Sequence, residues 1–162
     1  MSEELQSLAR TSGELLRARG WRLVAAESCT AGWIAKVVTD IEGSSEWFER
    51  GFVTYSNESK EEMLGVRRDT LHTWGAVSAQ TVSEMASRAL VRSHGQIAVA
   101  ISGIAGPGGG TSDKPVGTVW IGWAVQGGDP EAEHQIFPGN RDEVRRAAVK
   151  RALEGVIERA SP

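Results

Sequence analysis

A chain of 162 residues that is 40% hydrophobic and 24% charged can bury the core of one globular domain, expected to span 1–162. Its net charge of -3 leaves no basic footprint, which argues against nucleic acid as a partner. The single cysteine excludes an internal disulfide. No apolar stretch approaches a membrane span and the opening Met-Ser-Glu-Glu lacks a signal-peptide pattern, so a cytoplasmic protein is expected.

Leu5, Leu8, Leu15 and Leu16 recur at helical spacing, and Gly20 stops that run. A short apolar strand follows over 22–26, then a helix over 30–39 with Ile34, Val37 and Val38 on its apolar side. Residues 51–55 have strand composition. Asn57 is read as the N-cap of a helix from Glu58 to Leu64, closed by Gly65, and Ser78 as the cap of a helix from Ala79 to about Ser93. The Ile, Val and Ala of 96–101 suit a strand buried on both faces. The glycines and prolines of 106–115 demand a loop. Strands over 118–125 and 133–137 and a helix from about 141 to Ala160 complete the chain. Helices alternating with strands predict an α/β protein: a three-layer α/β/α sandwich on a mostly parallel, mixed sheet of about five strands. Most of the six tryptophans are expected in the core.

If the first three strands are parallel neighbours, the segments after them meet at one carboxyl edge, where open α/β sheets bind ligands. Ser28 there is either a helix cap or a nucleophile, with amides near Cys29 and Thr30 available to an oxyanion. A serine needs a base, and His72, His94 and His134 all fall away from that edge. Lys60 lies in the first turn after the second strand. Lys36 is its rival but sits about 12 Å along the helix beyond Ser28. To accept a proton, Lys60 must be buried so that its pKa falls. Tyr55 is the only tyrosine and is placed to bond Ser28 or Lys60. A short-chain dehydrogenase pattern fails, because a Tyr and Lys five apart on a helix diverge by about 140° and no Gly-x-Gly-x-x-Gly follows the first strand. Cys29 reads as a buried small hydrophobe. The loop carrying Gly106, Gly108 and Gly109 is either a plain turn or an anion cradle, with Lys114, Arg141 and Arg145 as candidate counter-charges. No grouping of ligand residues has metal-binding spacing, so no metal is expected.

Glu27-Ser28-Cys29-Thr30-Ala31-Gly32, Tyr55-Ser56-Asn57-Glu58-Ser59-Lys60, Gly75-Ala76-Val77-Ser78, Gly103-Ile104-Ala105-Gly106-Pro107 and Lys114-Pro115-Val116-Gly117-Thr118-Val119 together resemble the CinA C-terminal family, the nicotinamide-nucleotide amidases. The resemblance runs from about Leu5 into the last helix. It implies hydrolysis of the carboxamide of nicotinamide mononucleotide, with Ser28 as nucleophile, Lys60 as base and Tyr55 assisting. It also implies a site without metal or other cofactor, a homodimer, and a stand-alone form lacking the N-terminal domain of larger members. Ser102 and the glycine loop, with Arg141 or Arg145, would hold the nucleotide. Ala31 stands where a second glycine is common, and Ser102 where threonine is frequent. A nucleotide-binding regulatory module with negligible turnover is the rival expectation.

Overall fold

In the computed structural model, which describes residues 2–162, the longest helices begin on residues that cap them. The Ser2 hydroxyl accepts from the Leu5 amide to open α1 (Glu3–Arg19), and Gly20, at φ 67°, closes it. β1 (Leu23–Glu27) is buried throughout, as a central strand covered on both faces should be. α2 (Trp33–Thr39), a 3-10 turn (Ser44–Glu46) and β2 (Phe48–Val53) follow. Next come α3 (Asn57–Ser59), which runs directly into a π-helical turn (Lys60–Leu64), α4 (Arg68–Trp74) and α5 (Ala79–Val91). β3 (Ile97–Gly103), β4 (Thr118–Val125), β5 (Glu131–Ile136) and α6 (Arg141–Ala160) complete the chain.

The five strands lie in the order β2-β1-β3-β4-β5. β1 pairs parallel with both β2 and β3, and β4 pairs antiparallel with both β3 and β5. Only β4 therefore runs against the rest, which is the mixed sheet expected. Strand alternation sorts the core onto two faces. Ile97, Val99 and Ile101 join buried residues of α1, α2 and α6, whereas Ala98 and Ala100 join those of α4 and α5. The small residues let α5 sit close: a Cβ on Gly122 of β4 would stand 2.6 Å from the Val82 carbonyl oxygen. No helix among the described residues is long and apolar enough to cross a membrane.

Several local readings need correction. α4 lies where no element was expected. β2 starts at Phe48 and stops before Tyr55, because it is an edge strand whose Glu49 and Arg50 hide the strand pattern. α2 begins at Trp33, since Ala31 (φ 48°) and Gly32 (φ 95°) hold the preceding turn in left-handed backbone. Ser56 caps α3 in place of Asn57, through a reciprocal box with Ser59. The tryptophans follow expectation: Trp47 and Trp123 are fully buried, Trp21, Trp33 and Trp120 pack part-buried against the core, and Trp74 alone is 51% exposed.

Candidate active site

Parallel pairing of the first three strands brings their carboxyl ends side by side, and the ladder continues past them. The Ser28 amide donates to the Ile101 carbonyl at 3.0 Å, and the Thr54 amide to the Glu27 carbonyl at 2.9 Å. Ser28, Thr54 and Ser102 thus end neighbouring strands on one edge. Above them lies a cavity of about 190 Å³ whose walls include Ser28, Cys29, Tyr55, Lys60, Ser102 and Arg141.

Lys60 reaches this edge because the Ser56–Ser59 box starts a helix immediately after β2, and the first turn points its side chain back towards the sheet. The side chain is 1% exposed. Nζ lies 3.0 Å from Ser28 Oγ, 2.9 Å from the Thr54 carbonyl and 3.3 Å from the Tyr55 carbonyl. No carboxylate among the described residues lines the cavity. Burial without a counter-ion holds the Lys60 pKa below the ordinary lysine value. A neutral amine has two N–H donors and one lone pair. In that form the two carbonyls can take both donors, and the lone pair is then left to face the Ser28 hydroxyl. Lys36, the rival base, is instead paired with Asp40 at 2.6 Å on the exposed side of α2.

The Ser28 turn is gripped from two sides. Glu27, a buried acid ending an otherwise apolar strand, accepts from the Thr30 hydroxyl (2.7 Å) and the amides of Ile34 (2.9 Å) and Ala35 (3.1 Å). Burial holds its carboxyl above the usual carboxylate value, and these hydrogen bonds offset only part of that rise. Glu27 therefore occupies the start of α2, where it takes the amides of Ile34 and Ala35. From outside, Arg145 Nε donates to the Cys29 carbonyl at 2.9 Å and Nη2 to the Thr30 carbonyl at 3.5 Å. The Cys29 and Thr30 amides donate to no oxygen among the described residues. The turn is fixed by its carbonyls and side chains, and of these two residues Cys29 lines the cavity while Thr30 is fully buried. Cys29 itself is buried, and its thiol is pushed up to about 11.

The remaining expected residues divide. Arg141 lines the cavity, donating to the Gly106 carbonyl at 2.8 Å and to the Tyr55 hydroxyl at 3.2 Å. Tyr55 is 58% exposed at the rim, and its hydroxyl turns to Arg141 in place of Ser28 or Lys60. Gly106, Gly108 and Gly109 lie outside the cavity lining, and Lys114 Nζ is bonded to the Trp74 carbonyl. Arg145 is likewise absent from the lining, because its guanidinium is engaged beneath the Ser28 turn. Sequence reasoning missed the part of Glu27. An acid closing the run Leu-Val-Ala-Ala was the signal for it.

Residues 5–160 match the family model of the CinA C-terminal domain. The chain is 55% identical over 151 residues to the nicotinamide-nucleotide amidohydrolase PncC of Escherichia coli, covering 93% of this chain and 92% of that one. To the protein of the same name from Enterobacter agglomerans it is 52% identical over 158 residues, 97% of this chain and 96% of the relative. Among solved structures, the competence/damage inducible protein CihA from Agrobacterium tumefaciens matches with a TM-score of 0.95 and 44% identity, over 98% of this chain and 96% of that chain.

Proposed function

This chain belongs to the CinA C-terminal domain family and is an amidohydrolase, and from that premise we propose that Ser28 and Lys60 hydrolyse the carboxamide of nicotinamide mononucleotide. The products are nicotinic acid mononucleotide and ammonia. The observation that carries this reading is the buried Lys60 amine 3.0 Å from Ser28 Oγ in a cavity without a carboxylate.

Lys60, neutral, takes the hydroxyl proton as Ser28 Oγ attacks the carboxamide carbon. The carbonyl oxygen becomes an oxyanion held by the Cys29 and Thr30 amides. The carbon–nitrogen bond then breaks, and the amine leaves as ammonia with the proton returned from Lys60. In the second half, Lys60 takes a proton from water, the hydroxide attacks the acyl ester, and Ser28 leaves with its proton restored. Tyr55 assists through its backbone carbonyl, which fixes Lys60, and through its hydroxyl on Arg141.

A cavity of about 190 Å³ is below the usual size of a ligand site, so it suits the pyridine carboxamide while ribose and phosphate lie over the rim. Arg141 is there to meet the phosphate. Ser102, at the cavity wall, would contact the ring end, and Gly106 takes part through its bond to Arg141. Gly108 and Gly109 remain candidates only for contacts beyond the rim. The family resemblance extends this reading to a cytoplasmic homodimer that needs no metal. The molar mass in solution by light scattering tests the dimer.

The test is ammonia release from nicotinamide mononucleotide. The wild type should release it in the presence of a chelator, Ser28→Ala should not, and Cys29→Ala should keep most of the activity. Turnover by Ser28→Ala, or its loss in a folded Cys29→Ala protein, would reject Ser28 as the nucleophile. Plain nicotinamide, lacking a phosphate, should be cleaved poorly, and equal cleavage of both would remove the phosphate anchor.

A further inference from the structure

The helix that presents Lys60 ends in an unusual way. Its last turn, Lys60–Leu64, is π-helical, a rare form that is frequent at functional sites. The Lys60 and Glu61 carbonyls are capped by the Val66 and Gly65 amides. That leaves the carbonyls of Glu62, Met63 and Leu64 without helical partners. Two arginines four residues apart at the end of α5 take all three. Arg88 Nε donates to Leu64 at 3.0 Å, and Arg92 Nη1 to Met63 at 3.2 Å and to Glu62 at 3.4 Å.

The fit between them depends on Gly65. It sits at φ 78°, and a Cβ there would lie 2.9 Å from Arg92 Nη2 and 3.1 Å from Arg88 Nη2. Neither arginine forms an ion pair with a side-chain carboxylate among the described residues, so their charge faces the negative end of the Lys60 helix. Arg88 is half-buried, which shields its bond from water, while Arg92 is exposed.

We propose that Arg88, assisted by Arg92, is a positioning residue for the reaction: it holds the π-turn whose first residue is Lys60 and so keeps the amine on Ser28. This rests on the Ser28–Lys60 reading given above. Without the guanidinium, the Leu64 carbonyl loses its side-chain partner and the end of the turn is held only by the Gly65 and Val66 amides and Arg92. Lys60 would then shift relative to Ser28, whose own position is fixed separately by the sheet, Glu27 and Arg145. The groups facing Lys60 are Cys29 from the turn after β1, Tyr55 from the loop after β2, and Arg141 from α6. None of these touches Arg88.

The experiment measures kcat and KM for nicotinamide mononucleotide across pH in Arg88→Ala, Arg88→Lys and Lys60→Met, together with the thermal midpoint of each. A base working in its neutral form loses activity on the acid side, and that limb reports its pKa. Arg88→Ala should lower kcat near neutral pH by about 10- to 100-fold, the scale expected of a misplacement of about 1 Å. KM should stay within about threefold, on the ground that Arg88 does not line the cavity. The acid limb should move to higher pH as the amine drifts towards water, and Arg88→Lys should restore part of the rate. If Arg88→Ala fails to fold, Arg88→Lys and Arg92→Ala are read for the same displaced limb. A lower thermal midpoint with an unmoved acid limb and unchanged kcat would overturn the proposal, leaving Arg88 a structural residue. Lys60→Met separates the two claims. If it retains turnover, the Ser28–Lys60 reading has failed; if it is inactive while the Arg88 variants behave as wild type, only the positioning role has.

Discussion

Lys60 is buried with no carboxylate of the described residues lining its cavity, and that has a thermodynamic signature. Its folded pKa lies below the unfolded value of 10.5. Between the two, the unfolded chain holds more protons, so the contribution to stability rises with pH, by about 1.4 kcal/mol in total for each unit of depression. In denaturant melts at several pH values, the wild type should therefore gain on Lys60→Met as pH climbs from the folded pKa towards 10.5, with no gain below the folded pKa. A difference that stays flat up to pH 10.5 would mean the amine is not depressed. The two arginines of α6 should fail in opposite ways. Arg141→Ala should raise KM about 10- to 100-fold, as loss of a charged phosphate contact would. Arg145→Ala should instead lower kcat by a similar factor with little change in KM, because Arg145 grips the turn carrying Ser28. Steady-state kinetics of both variants decides this. Ser28 and Lys60 were legible in the chain because each follows a strand end within a few residues. Arg145 was not, since its bond spans 116 positions and no local pattern shows which way a helix arginine reaches.

At the scale of elements, sequence rules worked where one face of a helix or strand is buried and failed where function or sheet edges intervene. α5 and α6 announce themselves by their caps, Ser78 and Asn140. α4 escaped because its buried residues are only Thr70 and Leu71, too few to set a period. The turn before α2 was read as helix because left-handed backbone at Ala31 is unusual for a residue with a Cβ, at a cost of about 1–2 kcal/mol. Such strain fits a turn at a functional site. α6 supplies a case in which helix propensity and packing disagree. Gly→Ala inside a helix ordinarily stabilises by about 1 kcal/mol. At Gly155, however, the new Cβ would stand 2.2 Å from the Trp123 ring, which is itself held by a bond from Nε1 to the Ala152 carbonyl at 3.1 Å. Gly155→Ala should therefore destabilise by about 1–3 kcal/mol in urea unfolding, and a stabilised variant would show that the ring has room to move.

For the molecule as a whole, the alternation of helix and strand was enough to give the layers and the direction of most strands, because burial on both faces writes itself into the sequence as continuous apolar runs. What the chain alone did not show is how the site is braced. Glu27 holds the Ser28 turn from within, Arg145 holds it from α6, and Arg88 and Arg92 hold the Lys60 turn from α5. Ser28 and Lys60 thus come from different strand ends, and each is held by a helix on its own face of the sheet. The measurement that bears most directly on this arrangement is ammonia release by metal-stripped Lys60→Ala, with binding of nicotinamide mononucleotide to the same protein measured by calorimetry. Kd should remain close to that of the wild type while kcat falls by about 10²–10⁴-fold, the range for loss of a general base. A Lys60→Ala protein that binds the nucleotide and turns it over within about tenfold of the wild-type rate would contradict the Ser28–Lys60 mechanism.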